Sequence, residues 1–239
     1  MIKKALITGS AKGIGRAIAL DLASKGFDVA IHYRKSIDDA QLTQQAALAF
    51  GVQAVILQAD ITDSVQAVAL VEKATRQLNG LSVIVNNVGD YAESLPSAIS
   101  FEEWQSIMNS NLNATFYITQ TAIPYLKKAQ WGRIINFACA SAQTITARHL
   151  NTAYIIAKSG VIIYTKSLAK ELAPLHITAN IISPGIAENS FDVEDIEPSL
   201  PLKRAAKLAE IARATWFFID PNAAYLTGQV LEVSGGWNL

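Results

Sequence analysis

Seven short runs rich in β-branched and aliphatic residues, spaced by longer segments with apolar residues at helical intervals, constrain this chain more than any single motif does. The runs cover residues 5–8, 29–33, 54–57, 83–86, 133–137, 177–182 and 229–233, and each reads as a strand buried on both faces. Between them Ile14, Ala17, Ile18 and Leu22 share one helical face, while Val65, Val68, Ala69 and Glu72 line a wet one. Strand and helix therefore alternate. Alternation requires right-handed crossovers and predicts an α/β fold, a doubly wound parallel sheet of about seven strands with helices on both faces. With 51% hydrophobic and 17% charged residues, the chain can bury a large core, and residues 1–239 are expected to form one domain.

Start and stop signals sharpen the helices. Ser100 with Glu103 reads as a capping box for a long helix through Trp104, Leu112, Phe116 and Ile123, its late turns bent by Pro124. A second helix is predicted over residues 151–172, because Pro174 forbids continuation. Residues 186–202 carry five acidic residues and two prolines with little periodicity. They are expected to form a mobile substrate loop.

Several function classes are disfavoured at once. Lys plus Arg and Asp plus Glu each total 20, so no long-range field draws a polyanion, and nucleic acid is not expected as a partner. One cysteine, Cys139, and three scattered histidines, His32, His149 and His176, offer neither a disulfide nor a metal-ligand spacing. His149 is expected to be a solvated loop residue. The opening MIKKALITGS has an apolar run too short for a signal segment or a membrane span, which suggests a soluble, cytoplasmic protein.

The first strand runs into Thr8-Gly9-Ser10-Ala11-Lys12-Gly13-Ile14-Gly15 and then a helix. Strand, glycine turn and helix in that order suit a dinucleotide of the Rossmann type: Gly9 and Gly13 let the backbone turn and approach a diphosphate, and Gly15 permits close packing. Ser10, Lys12 and Ile14 complete the candidate cradle, with the first helical amides facing the anion. An NAD enzyme would place an acid after the second strand, yet this chain has His32-Tyr33-Arg34-Lys35. Arg34 and Lys35, with Lys12, favour a 2'-phosphate and hence NADP(H). Asp60, followed by Ile61, either meets the adenine amine or caps the helix beginning near Thr62.

Tyr154 and Lys158 lie four residues apart, on one face of the predicted helix. A phenol ordinarily titrates near 10, and a neighbouring cation favours its ionised form. Tyr154 would then exchange a proton with a carbonyl or hydroxyl oxygen while hydride moves to or from a nicotinamide.

Thr8 to Gly15, Asn86-Asn87-Val88-Gly89, Asn111, the Tyr154–Lys158 pair and Pro184-Gly185 occur in the order and spacing of the short-chain dehydrogenase/reductase family. The resemblance spans the whole chain, including Leu226 to Gly236, and is nearest to bacterial 3-oxoacyl-[acyl-carrier-protein] reductases. It implies that Asn87, Val88 and Gly89 steady the central strand beside the adenosine half of the cofactor. It further implies that Asn111 holds a relay water, that Lys158 bonds the nicotinamide ribose and lowers the Tyr154 pKa, and that Pro184, Gly185 and Ile186 border the carboxamide. A small-molecule or acyl-thioester carbonyl is the implied substrate, and a homo-oligomer, tetramer or dimer, the implied assembly.

One departure stands out. The family's usual serine after the fifth strand is replaced by Cys139, a weak donor. Ser141 lies thirteen residues before Tyr154 and is the other candidate for orienting the substrate oxygen. Asn189 stands where many relatives have threonine. The rival to an NADP(H)-dependent carbonyl reductase is therefore a cofactor-binding sensor or structural protein of the same fold, weakened by the cysteine. The loops 90–99 and 140–151 are expected to join 186–202 in shaping the pocket. Ile155, Ile156, Ile162, Ile163, Trp216, Phe217, Phe218 and Trp237 are apolar beyond the needs of one core face, which points to subunit contacts.

Overall fold

The computed structural model describes residues 2–191 and 193–237. All seven predicted strands are present: β1 (Lys4–Ile7), β2 (Asp28–Tyr33), β3 (Ala54–Gln58), β4 (Val83–Asn86), β5 (Gly132–Phe137), β6 (Ile177–Pro184) and β7 (Val230–Val233). They form one parallel sheet in the order β3-β2-β1-β4-β5-β6-β7. Helices α1 (Gly13–Ser24), α2 (Ile37–Leu48) and α3 (Ser64–Leu78) connect the first four strands. Helices α4 (Phe101–Met108), α5 (Ala114–Ala129), α6 (Thr152–Leu172), α7 (Val193–Ile196) and α8 (Leu208–Ile219) serve the second half.

The sheet has a core on each face. Ala5, Ile7, Val29, Ile31, Val83 and Ile135 pack with Ile18 and Leu22 of α1 and Phe218 of α8, while Leu6, Ile84 and Ile134 pack with Leu70 of α3 and Ile118 of α5. Both faces are buried in the central strands, as read from the sequence. The edges are not: β3 ends on an exposed residue, and every residue of β7 is only half-buried. An edge strand has one neighbour, so the helices cover it incompletely.

The predicted long helix after Ser100 is interrupted. The Ser100 hydroxyl accepts from the Glu103 N–H (3.0 Å), but the Glu103 carboxylate accepts instead from the Ser94 hydroxyl (2.6 Å), so only half the capping box forms. Residues Asn109–Asn113 form a π-helical turn between α4 and α5, a local widening that often marks functional sites. Pro124 sits inside α5, and α6 ends at Leu172, before Pro174.

Residues 186–202 are better held than a mobile loop. Ala187 pairs with Ala206 in an isolated bridge, the Glu188 N–H donates to the Ala206 carbonyl (2.9 Å), and the Glu197 carboxylate accepts from the Ala205 N–H (2.8 Å). Helix α7 and a 3-10 turn (Glu197–Ser199) lie between those ties, where the acidic composition had suggested no regular structure; Asp192 lies outside the described residues. The apolar surplus also divides. Trp216 packs edge-on against Phe27 and Ile162 is buried, whereas Ile156, Ile163 and Phe217 remain exposed.

Beneath the carboxyl ends of β4 and β5 runs a buried polar chain. The Asn86 Nδ2 donates to Thr119 Oγ1 (2.9 Å) and Asn136 Oδ1 (2.8 Å), and Asn136 Nδ2 donates to Thr165 Oγ1 (2.8 Å), tying α5, both strands and α6 together. Asn136→Ala should remove two buried hydrogen bonds, leaving Asn86 bonded only to Thr119 and Thr165 only to the Val161 carbonyl, and cost about 2–3 kcal/mol. Urea denaturation checks this, with a lowered midpoint at unchanged slope.

Candidate active site

The strand order reverses between β1 and β4, and at such a point the connecting loops splay apart to leave a crevice. A cleft of about 470 Å³ opens there, its walls including Gly9, Lys12, Arg34, Asp60, Ile61 and Gly89. The turn after β1 adopts positive φ at Gly9 (61°) and Gly13 (60°), conformations in which a Cβ is strained. A Cβ at Gly15 would fall 2.3 Å from the Gly9 carbonyl oxygen, so α1 closes onto the turn only because Gly15 has none. No side chain caps the start of α1, where Lys12 is the N-cap. Its first N–H groups are thus available to an anion. A Cβ at Gly13 would meet the Asn189 amide at 2.9 Å, which brings the segment after β6 over the same turn.

Neighbouring side chains hold that turn. The Asn87 N–H donates to Thr8 Oγ1 (2.9 Å), and its side-chain amide donates to the carbonyls of Thr8 (3.2 Å) and Gly9 (3.3 Å), so Asn87 braces the glycine turn against β4. Val88 lines the cleft beside it. Ser10 is fully buried and its hydroxyl donates to the Ile7 carbonyl (2.7 Å) while accepting from the His32 N–H (3.1 Å). It is a brace within the fold and not part of the cleft wall. Ile14 lies half-buried against the core at the start of α1.

At the far end Arg34 and Asp60 are half-exposed and 4.0 Å apart. Hydrogen bonds from the Thr62 hydroxyl (2.7 Å) and N–H (3.0 Å) hold the Asp60 carboxyl below its usual range, with Arg34 adding to the effect. Asp60 does not cap α3. That role belongs to Asp63, which accepts from the Val65 and Gln66 N–H groups. Asp60 instead closes an Asx turn one step earlier and faces the cleft.

Tyr154 and Lys158 project from the first turns of α6 beside the ends of β4 and β5. The Lys158 ammonium is buried, donates to the Phe137 carbonyl (2.9 Å) and lies 5.6 Å from the centre of the Tyr154 ring. Burial pulls its pKa down to about 8. The Tyr154 hydroxyl is directed at the Cys139 thiol. Burial, and after it Cys139, pushes Tyr154 well above the ordinary phenol range. The expected lowering by Lys158 is not found: Lys158 is not among the influences that set the Tyr154 pKa here, which desolvation dominates. Burial also raises the Cys139 thiol, against opposition from Lys158 and the Tyr154 hydroxyl.

Cys139, rather than Ser141, stands next to Tyr154. Ser141 has φ 64°, its N–H donates to Glu232 (3.0 Å) and its hydroxyl accepts from Arg148 (2.9 Å). Those contacts turn it into the loop. Ser141 lies four residues past the end of β5 and two past Cys139, enough to aim its hydroxyl away. His149 is exposed. Pro184, Gly185 and Ile186 are tied to neighbouring segments: the Pro184 carbonyl accepts from the Ala140 N–H (2.9 Å), the Gly185 N–H donates to the Val233 carbonyl (3.0 Å), and the Ile186 carbonyl accepts from the Ala206 N–H (2.9 Å).

Asn111 occupies the middle of the π turn and is fully buried. Its Nδ2 donates to the carbonyls of Asp90 (2.9 Å) and Ile107 (3.0 Å), while its Oδ1 has no partner among the described residues. A Cβ at Gly89 would lie 2.1 Å from that oxygen and 3.0 Å from the Lys158 Nζ. Gly89, Asn111 and Lys158 thus converge on one point.

Comparison with known proteins agrees with this geometry. A family model described as enoyl-(acyl carrier protein) reductase matches residues 9–238. The 3-oxoacyl-[acyl-carrier-protein] reductase FabG of Staphylococcus aureus is 34% identical, over 99% of this chain and 98% of that protein. The chain belongs to the short-chain dehydrogenase/reductase family. Among solved members, acetoin dehydrogenase YohF from Salmonella typhimurium is 34% identical with a TM-score of 0.90, covering 99% of this chain and 96% of that one. A blue fluorescent protein from a metagenomic library, solved in complex with NADPH, is 31% identical with a TM-score of 0.91, covering 99% and 98%.

Sequence reasoning missed one neighbour of the dehydrogenase/reductase centre. Tyr91 packs edge-on against Tyr154, with ring centres 5.0 Å apart at 85°, and its hydroxyl donates to Glu93 (2.5 Å). Its place two residues after Gly89, inside a loop already assigned to the pocket, was the available signal. Arg148 and Glu232 were missed as well, because they act on Ser141 from distant positions. Gly89→Ala should displace Asn111 and Lys158 together and lower kcat about a hundredfold or more, while circular dichroism shows the helices and sheet retained.

Proposed function

We propose that this chain is an NADP(H)-dependent oxidoreductase that interconverts a carbonyl and a hydroxyl by hydride transfer. The observation that carries the reading is the convergence of Tyr154, Lys158, Asn111 and Gly89 at one end of the cleft of about 470 Å³ at the reversal of the sheet, which Gly89 also lines. The glycine turn and the uncapped start of α1 would hold the diphosphate, and Lys12, Arg34 and Lys35 the 2'-phosphate. Solved relatives in complex with NADPH and with NADP support that choice. When bound, the cofactor supplies or accepts hydride at its nicotinamide ring.

The remaining work belongs to the chain. Tyr154 would present its hydroxyl to the substrate oxygen and, with its pKa raised, is protonated at neutral pH. It is a proton donor, suited to reduction. Oxidation needs the phenolate, so that direction should accelerate toward alkaline pH. Lys158 anchors to the Phe137 carbonyl and places its charge under the ring, and the unpartnered Asn111 Oδ1 gives a proton relay its acceptor. Cys139 faces the same oxygen and offers it only a weak hydrogen bond.

The substrate class the reading favours is a 3-oxoacyl thioester. The named activity of the S. aureus relative supports it, as do exposed apolar residues in all three pocket loops, Leu95, Ile145, Leu150 and Phe191, which suit an acyl chain. A cytoplasmic setting belongs to the same reading, supported by the free thiol of Cys139. The weak donor at Cys139 also favours a second reading, a cofactor-binding protein with little turnover.

The deciding experiment follows NADPH oxidation with acetoacetyl thioesters and simple ketones. Turnover is expected, with about a thousandfold loss in Tyr154→Phe. Cys139→Ser should raise kcat about tenfold by restoring a hydroxyl donor, and Ser141→Ala should stay within about threefold of the parent. NADPH binding without turnover on any carbonyl favours the second reading.

We also propose a homo-oligomer, a dimer or tetramer, assembled through α5 and α6. Phe116 and Tyr164 pack together there (5.7 Å), with Ile163 exposed nearby on α6. Light scattering should report more than one subunit, and Ile163→Asp should shift the mass downward.

A further inference from the structure

His32 is one of three histidines that carried no functional reading in the sequence, yet it lies at the floor of the cofactor cleft with only 2% of its surface exposed. Three segments meet on it. Its Nδ1 accepts from the Gly9 N–H (3.0 Å), and its Nε2 is 3.1 Å from the Ala59 carbonyl. Its own N–H donates to the Ser10 hydroxyl (3.1 Å), and the Ser10 N–H donates back to the His32 carbonyl (2.9 Å). Because Nδ1 faces a backbone donor, the ring proton must reside on Nε2, where it donates to Ala59. A single tautomer satisfies both contacts.

We propose that His32 is a positioning residue for the cofactor: its imidazole locks the glycine turn after β1 to the end of β3, with β2 between them. Gly9 begins the turn that approaches the diphosphate, and Asp60 follows Ala59 directly. Arg34 lies two residues after His32. The imidazole therefore fixes the distance between the diphosphate end and the 2'-phosphate end of one cleft. The inference rests on the reading of that cleft as the NADP(H) site.

The lock needs a neutral ring, since a proton on Nδ1 would confront the Gly9 N–H. Burial supplies that condition, pulling the imidazole down to about 4 against the opposing influence of Asp60 and with that of Arg34. Gly9 in turn is not free to bind phosphate through its own N–H. Its contribution to the cofactor is the shape of the turn, and the anion contacts fall to the start of α1.

Two amide substitutions separate the two halves of the lock. Asparagine places its oxygen near the position of Nδ1 and can accept from Gly9, but does not reach Ala59. Glutamine reaches Ala59 but leaves Gly9 without its acceptor. In fluorescence titrations of the full-length protein with NADPH, His32→Asn, which cuts the lock at Ala59, should weaken the Kd by about tenfold, the loss of one buried hydrogen bond. His32→Gln should be weaker by about tenfold or more for the same reason. For both, kcat at saturating NADPH should remain within about twofold. A parent-like Kd in either variant overturns the proposal, as does a fall in kcat at unchanged Kd.

Should the variants not fold, nitrogen NMR of the parent protein decides the same point. A bare Nδ1, a protonated Nε2 and slow exchange of the Gly9 N–H between pH 6 and 8 support the lock, and a protonated Nδ1 overturns it. A parent protein that binds no NADPH but shows this tautomer refutes the cofactor reading, and with it the positioning role, while leaving the hydrogen-bond geometry intact.

Discussion

Backbone and side-chain atoms at the carboxyl end of the sheet lie closer together than any Cβ allows, and the site exists because glycine stands at those points. Gly15 brings the first turn of α1 onto the Gly9 carbonyl, at 2.3 Å from where its Cβ would be, and Gly89 admits the Asn111 amide and the Lys158 ammonium to one spot. Van der Waals repulsion rises so steeply that these are thresholds rather than preferences. In the proposed function one close approach forms the anion cradle and the other the proton-handling centre. They sit on adjacent strands, β1 and β4, at the place where the order of the sheet reverses.

The electrostatics of the centre follow from burial more than from pairing. A lysine beside a tyrosine suggests an acidified phenol, but here the Lys158 charge is bonded to the Phe137 carbonyl and both groups are desolvated. Lys158 falls toward neutrality and Tyr154 rises, which leaves the phenol protonated and the thiol of Cys139 as its neighbour. The same logic operates at His32, where burial keeps an imidazole neutral so that it can accept a backbone proton. In each case the low dielectric sets the protonation state, and a specific hydrogen bond then uses it.

Most of the framework was legible in the residues. The seven apolar runs became seven strands, displaced by at most a residue or two at their ends, because a strand buried on both faces leaves a run that no amphipathic helix would show. The glycine turn, the end of α6 before Pro174 and the Tyr154–Lys158 spacing were legible for similarly local reasons. The π turn around Asn111 was not: it arises from packing against Gly89 and Asp90, twenty residues away in sequence. Nor was the order in residues 186–202, whose ties run to Ala205 and Ala206.

The sequence by itself determined which elements form, where the backbone must lack a side chain and which ionisable groups are within one helical turn of each other, since these depend on neighbours along the chain. Only the tertiary structure decided that Cys139 and not Ser141 meets Tyr154, that Tyr91 packs against it, that Asp63 rather than Asp60 caps α3, and that His32 braces the cleft. Each of those outcomes turns on the direction of a side chain, and that direction is set by partners such as Arg148, Glu232 or Gly9 that the fold brings in from elsewhere. The same holds for charge: proximity in sequence suggested an activated phenol, whereas the protonation state is governed by how much water the surrounding loops exclude.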